Sequence, residues 1–285
     1  GFTLLEQGTA AQHYPAQKLL ADIADAVWSS GEPAVSFRDT QVAASALLGT
    51  GVELVESASG GFVFSPDAAA PAATINPLKT KGWESFEQAA ALMTVVLDLA
   101  ADVLPGGDAA DSHRPIMLGM TNIAACLMAE GLAYDSDAGR TYAGLLCALM
   151  TGVAARTSAQ LAECLGQVLS NRLTDKNMLQ LVKDKKACLS GGAVVPKGMM
   201  RRPVLPRTAL CPDAALVERT AAAWDAAYDT GRKSGFRHAH LTGISTPADI
   251  HALLSDHARD LSPEPSLARF ESYFSDTLEN AELYG

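Results

Sequence analysis

The sequence is poor in aromatic residues and positive charge, and it has no cysteine before Cys126. Phe, Trp and Tyr make up 6% of 285 residues against 48% hydrophobic overall. Ala, Leu, Val and Met must therefore build the core, a composition that suits helices with small residues at their contacts. There are 22 Lys and Arg against 32 Asp and Glu, a net charge of -10. Basic residues cluster only at Met200-Arg201-Arg202 and Lys183-Asp184-Lys185-Lys186. Phosphate contacts supply most nucleic-acid affinity, so no nucleic-acid partner is expected. The five cysteines (Cys126, Cys147, Cys164, Cys188, Cys211) form no Cys-x-x-Cys pair, and their number is odd. They read as buried, reduced thiols of a cytoplasmic protein. Gly1-Phe2-Thr3 opens without the charged and apolar regions of a secretory leader. The longest uncharged helical run, 141 to 155, is about 15 residues, short of the ~20 that cross a bilayer, so no membrane is expected. No Gly-x-Ser-x-Gly, P-loop or Rossmann fingerprint occurs, which leaves those chemistries without a motif.

What is present reads as one α+β domain, 1–285, predominantly helical with a few short strands. Pro15 opens a helix with Leu19, Leu20, Ile23, Ala24 and Val27 on one face, ending near Gly31. A second short helix covers Asp39 to Leu48, and 52–79 is loop and strand around Phe62-Val63-Phe64. Ser85 with Gln88 forms a capping box for a helix from Phe86 to Leu104, stopped by Pro105-Gly106-Gly107. Pro115 to Met120 reads as a strand, and Thr121 as the cap of a helix to Glu130. Ser136 caps a nearly uncharged helix to about Leu165, a central element by its lack of a polar face. Thr174 is placed as the cap of a helix over 175–187. Residues 189–212 are Gly- and Pro-rich, and a subdomain break is placed there. A helix follows from Asp213 to Lys233, then a strand from Arg237 to Ile244 and a last helix over 267–280.

Several segments occur together in one order. Gly31-Glu32-Pro33-Ala34-Val35-Ser36-Phe37 comes first. Leu132-Ala133-Tyr134-Asp135-Ser136-Asp137-Ala138-Gly139-Arg140 follows, with Ala148-Leu149-Met150-Thr151-Gly152 and Arg156-Thr157-Ser158-Ala159. Cys211-Pro212, Ala215-Leu216-Val217, Trp224-Asp225 and Gly235-Phe236-Arg237-His238-Ala239 complete the set. These resemble, in the same order, the GDPGVQF, LPYDSDEGR…ALMTG…TSAE, CP…ALV…AWD and GYRNA segments of class II, adenosylcobalamin-dependent ribonucleotide reductases. The resemblance runs from about residue 16 to about residue 275. It implies a shortened remnant of that family's α/β barrel.

The family's chemistry, as the resemblance implies it, needs a finger-loop cysteine that becomes a thiyl radical, a glutamate base and a nearby asparagine in an Asn-x-Cys-x-Glu motif. A further cysteine supplies one of two redox thiols. Counting back from Asn76 and Lys79, which resemble the LNLLK ending, Ser57 falls at the asparagine, Ser59 at the radical cysteine, Gly61 at the glutamate and Ala70 at the redox cysteine. A serine O–H bond is far too strong to stand in for the thiol, and glycine carries no base. The family's phosphate turn, Pro-Thr-Gly-Thr-Ile, reads here Thr246-Pro247-Ala248-Asp249-Ile250. Pro247 removes an N–H donor, and Asp249 would occupy the helix N-terminus and repel a diphosphate.

The resemblance therefore implies a catalytically inactive homologue acting by binding a protein partner or a small ligand, with no cofactor expected and adenosylcobalamin attached to the family only. Two alternatives remain. One is an accessory chain taking part in ribonucleotide reduction with a separate catalytic subunit. The other is a small-molecule sensor in the remodelled nucleotide cleft. The family's large N-terminal part has no counterpart in this sequence, so a partner, for which a homodimer is one form, would cover exposed strand edges. Elsewhere, His238, His240, His251 and His257 with Asp256 and Asp260 offer a weak metal pattern; surface histidines are the commoner reading, as is a loop position for His113. Met117, Met120, Met128 and Met150 read as core fillers.

Overall fold

The computed structural model describes residues 2–6, 9–30, 33, 35–56, 62–66, 68–104, 113–167, 172–192, 205–243 and 261–263. The molecule is organised around one helix, α5 (Asp137–Leu165). It starts where Ser136 Oγ accepts the Gly139 N–H at 2.9 Å, so the cap read from the sequence is confirmed. Asp137 in its first turn complements the helix dipole. Leu145, Leu146, Leu149, Val153, Ala154 and Ala155 are closed from solvent around much of its circumference, as its composition required. α5 is long and apolar enough to cross a membrane, but 67% of its apolar window is buried by the rest of the protein, the pattern of a core helix.

α7 (Ala214–Ser234) lies along α5, with α6 (Arg172–Leu189) against α7 and α3 (Trp83–Val103) against α5. The α5–α7 crossing depends on Gly152. A Cβ there would sit 3.0 Å from Trp224 Nε1, and that indole N–H donates to the Ala148 carbonyl at 3.0 Å. Asp213 caps α7 by accepting the Leu216 N–H at 3.1 Å. It also accepts from Trp83 Nε1 at 2.7 Å, which ties the starts of α3 and α7 together.

That tie explains one departure from the sequence reading. α3 begins at Trp83, not Phe86, and its N-cap is Gly82 at φ 84, a conformation that favours glycine. Ser85 lies inside the first turn instead of capping it. Thr174 likewise lies inside α6, fully buried, with no hydrogen-bond partner for Oγ1 among the described residues. Thr121 belongs to the sheet: its N–H donates to the Ile75 carbonyl, and Asn122, left-handed at φ 60, precedes α4 (Ile123–Ala129).

Three two-stranded pairings are described. β1 (Phe2–Glu6) and β2 (Thr9–Tyr14) form an antiparallel hairpin that the sequence reading did not anticipate. β3 (Val55–Glu56) pairs antiparallel with β4 (Val63–Phe64). β5 (Ala72–Ile75) pairs parallel with β6 (Met117–Met120), Ala72 opposite Met117 and Ile75 opposite Met120, and α3 makes the crossover. The strand expected at 237–244 is reduced to a rung. Leu118 and Thr242 form a parallel bridge, and Ile116 and Leu118 donate to the carbonyls of His240 and Leu241. The fold is mainly helical, and no closed barrel exists among the described residues.

α1 (Ala16–Ser30) has no buried residue, and Leu20 and Trp28 are 69% and 92% exposed. The apolar face read from its spacing therefore exists, and nothing among the described residues buries it. α2 (Arg38–Ala43) is shorter than expected and gives way to turns that deliver Ala46 and Leu47 to the core. Met120 and Met150 are core residues as expected, but Met128 is 56% exposed. Half of the segment where a break is expected, 193–204 within 189–212, lies outside the described residues.

Candidate functional site

The positions that carry the sequence argument are mostly not placed. Ser57, Ser59 and Gly61, the turn Thr246-Pro247-Ala248-Asp249, and His251, Asp256, His257 and Asp260 lie outside the described residues. Ala70, placed at the redox cysteine by the sequence reading, is described: half-buried, it stands just before β5. The sheet elements on either side of Ser57 to Gly61, β3 and β4, and the Thr242 rung that precedes Thr246 are described.

The chemistry that the structure does assemble lies elsewhere, around Asp98. Phe86, Ala90, Thr94 and Asp98 fall at four-residue spacing along the buried face of α3, so a carboxylate is delivered into the core. Asp98 Oδ1 accepts from Arg114 Nε at 2.7 Å, His238 Nε2 at 3.0 Å and Arg237 Nε at 3.1 Å. Arg114 also pairs with Asp102 at 2.6 Å, so two guanidiniums face two carboxylates and the cluster is electrically balanced. Burial opposes ionisation of Asp98, but the bonds from His238, Arg114 and Arg237 outweigh it and hold the carboxyl well below the usual carboxylate range.

His238 is fully buried, which corrects the surface reading. Burial pushes its pKa down, and the Arg114 and Arg237 charges add to this against the pull of Asp98. The neutral ring then donates from Nε2 to Asp98 and accepts at Nδ1 from the Ser158 hydroxyl, 2.8 Å away. Ser158 Oγ in turn accepts the Arg237 N–H at 3.2 Å. Carboxylate, imidazole and hydroxyl thus stand in the order of a hydrolytic triad. The order is not a catalytic one: Ser158 is 0% exposed, and its oxygen is already engaged. The cluster joins α3, α5 and the segment after α7.

His113 is also buried, and its carbonyl accepts the Ala239 N–H. His240 stacks on Phe62 at 4.1 Å, and its Nε2 is closed from solvent without a hydrogen-bond partner among the described residues. Burial, reinforced by the Lys185 charge, pushes its pKa down to about 3 against a bond to the Thr242 backbone. Among the described residues no group of three His, Cys, Asp or Glu side chains could hold a metal, and both ring nitrogens of His238 are engaged by Asp98 and Ser158. Of the free cysteines, Cys126 is buried and Cys164 exposed, the latter departing from the buried reading. Burial raises the Cys126 and Cys147 thiols to about 11 and about 12, so neither is an activated nucleophile.

Comparison with known proteins places this architecture. The family described as "Ribonucleotide reductase, barrel domain" matches residues 70–273. A vitamin B12-dependent ribonucleotide reductase of Agrobacterium fabrum is 30% identical over 281 residues, which cover 94% of this chain and 22% of that protein. The corresponding protein of Bradyrhizobium diazoefficiens is 30% identical over 268 residues, 90% of this chain and 21% of its own length. That of Streptomyces coelicolor is 26% identical over 286 residues, 95% of this chain and 28% of its own. The chain thus spans about a quarter of the length of these relatives.

Proposed function

Because this chain belongs to the ribonucleotide reductase family, matched over that family's barrel domain, we propose that it is a member without radical chemistry that acts by binding a small ligand or a protein partner. One observation carries the reading. In an ungapped register from Asn76 and Lys79, the positions of the radical cysteine, the base and the redox cysteine hold Ser59, Gly61 and Ala70. No shift of register restores a thiol, since the first cysteine is Cys126, and that is buried with its thiol pushed up to about 11. Adenosylcobalamin supplies a radical that a thiol must receive, and the donor set at the matched positions does not fit that task.

A second reading, an accessory chain to a separate reductase subunit, is favoured by the apolar face of α1, which nothing among the described residues buries. A further barrel portion in a partner would cover it. Thermal-shift titration with ribonucleoside di- and triphosphates, deoxynucleotides and adenosylcobalamin tests the main reading. Ligand at 100 times its dissociation constant adds about 2.7 kcal/mol. No shift with any of them is the expected result. A saturable shift with a ribonucleoside diphosphate, which Asp249 should repel, would overturn it.

A further inference from the structure

We propose that the cleft between α5 and α6 is a binding site for a small amphiphilic organic anion, its apolar body in the cleft and its charged head on Lys185. The cleft has a volume of about 810 Å³, within the ~300–1,000 Å³ of small-molecule pockets. Gly144, Cys147 and Ala148 of α5 form one wall, Lys185 and Cys188 of α6 the other, and Trp224 of α7 lies between them. The lining is mainly apolar, and the indole of Trp224 is held in place by its bond to the Ala148 carbonyl.

The charge of the occupant follows from what the other cations of the cleft already have. Arg140 is paired with Asp135 and Asp137 at 2.8 Å, and Arg207 with Asp137 at 2.6 Å. Lys186, one residue on, is paired with Asp225 at 2.7 Å. Lys185 has no carboxylate at ion-pair distance among the described residues; its ammonium stands 5.9 Å from the centre of the Trp224 ring. The side chain keeps solvent contact, as a group lining an open cleft does, yet the protein packed around its ammonium lowers its pKa. Its field is not neutralised locally and reaches His240. An apolar cleft with one uncompensated cation selects a ligand with an apolar body and one negative group, whether carboxylate, sulfonate or phosphate. Lys185 and Cys188, three residues apart, share the α6 face turned to the cleft.

The inference rests on the binding reading above but not on the ancestral nucleotide positions, so the two fail separately: nucleotide titration tests that reading, and an aromatic sulfonate tests this one. The probe is 1-anilinonaphthalene-8-sulfonate followed by fluorescence, with N-phenyl-1-naphthylamine, the same rings without the sulfonate, as its neutral counterpart. Lys185→Met removes the charge and keeps the stem. Gly144→Phe fills the cleft from a helical position where a new Cβ meets nothing within 4 Å. The expected result is one saturable sulfonate site, weakened by about tenfold or more in Lys185→Met, as loss of a charged contact predicts. The neutral probe should be little affected by that change, and Gly144→Phe should remove both. Circular dichroism of both variants confirms that they are folded. Absence of a saturable site, or sulfonate binding unchanged by either variant, as adsorption on the bare face of α1 would give, would overturn the assignment.

Discussion

Replacing Asp98 by Asn keeps the shape of the side chain and removes the one charge on which three donors converge. The Asp98 side chain is 3% exposed, Arg114 5%, Arg237 10% and His238 0%, so water cannot take over the lost role. Removing one partner of a buried pair costs about 3–5 kcal/mol, because the other charge stays buried without compensation. Arg114 retains Asp102, which places the cost near the lower end, about 3 kcal/mol. At roughly 2–4 °C per kcal/mol for a chain of this size, the melting temperature should fall by roughly 6–12 °C. Urea unfolding at pH 7, followed by circular dichroism, measures it. Asp102→Asn is the control: that carboxylate is 57% exposed, and an exposed pair contributes about 1 kcal/mol or less. Equal losses in the two variants, or a loss below about 1 kcal/mol in Asp98→Asn, would refute the claim that burial makes Asp98 the hub.

Acid should destabilise the protein well above the carboxylate range. His238 and His240 are both held neutral by burial, His240 at about 3 against an ordinary 6.5. The unfolded chain therefore takes up protons first, and stability present above pH 6.5 is lost progressively toward pH 3. By pH 5 the loss from His240 alone is about 2 kcal/mol. Between pH 7 and pH 5 Asp98 is ionised in the folded protein and almost wholly so in the unfolded chain, so it adds little there; below pH 5 its protonation in the unfolded chain adds to the loss. Urea midpoints at pH 7 and pH 5 that coincide would contradict this. Gly231→Ala should destabilise by about 1–3 kcal/mol, more than the ~1 kcal/mol of helix propensity gained, because a Cβ would stand 2.1 Å from Cζ of buried Phe236. A rise in melting temperature would show that the ring can move aside. Thr174→Val should stabilise by about 1 kcal/mol by deleting a buried hydroxyl that has no partner; destabilisation would show that the hydroxyl is bonded.

The parts of the fold legible in the sequence were those fixed by local chemistry. Ser136 caps the helix it precedes, the helix placed from Asp213 to Lys233 is there, and the uncharged interior of α5 is central, because capping and periodicity act over a few residues. The start of α3 was misread because the Trp83–Asp213 bond spans 130 residues and overrides a good capping box. The buried histidines were misread as surface groups because Asp98, which engages His238, lies 140 residues away. One signal was available. Asp98 continues the four-residue spacing of Phe86, Ala90 and Thr94, and an acid on an apolar stripe announces a buried partner. The family was legible because its segments are contiguous and ordered. The Lys185 cleft was not, because its walls come from separate helices and no motif marks them.

The rung between Leu118 and Thr242 also dictates an order of assembly. Met117 donates to Pro71, on the β5 side, while the next residue, Leu118, donates to Leu241, on the other side. The first bond closes after one crossover helix. The second joins segments about 120 residues apart, and closing so long a loop is slow before α5, α6 and α7 have formed between its ends. Two neighbouring amides of one short strand should thus become protected at different times in pulse-labelled hydrogen exchange, Met117 with α3 and Leu118 with α7. Simultaneous protection would mean that the sheet forms in one step. As the chain leaves the ribosome, β6 stands with one side satisfied and the other open until α7 has emerged, and through that interval its free edge is the part of the nascent chain most exposed to pairing with a wrong strand.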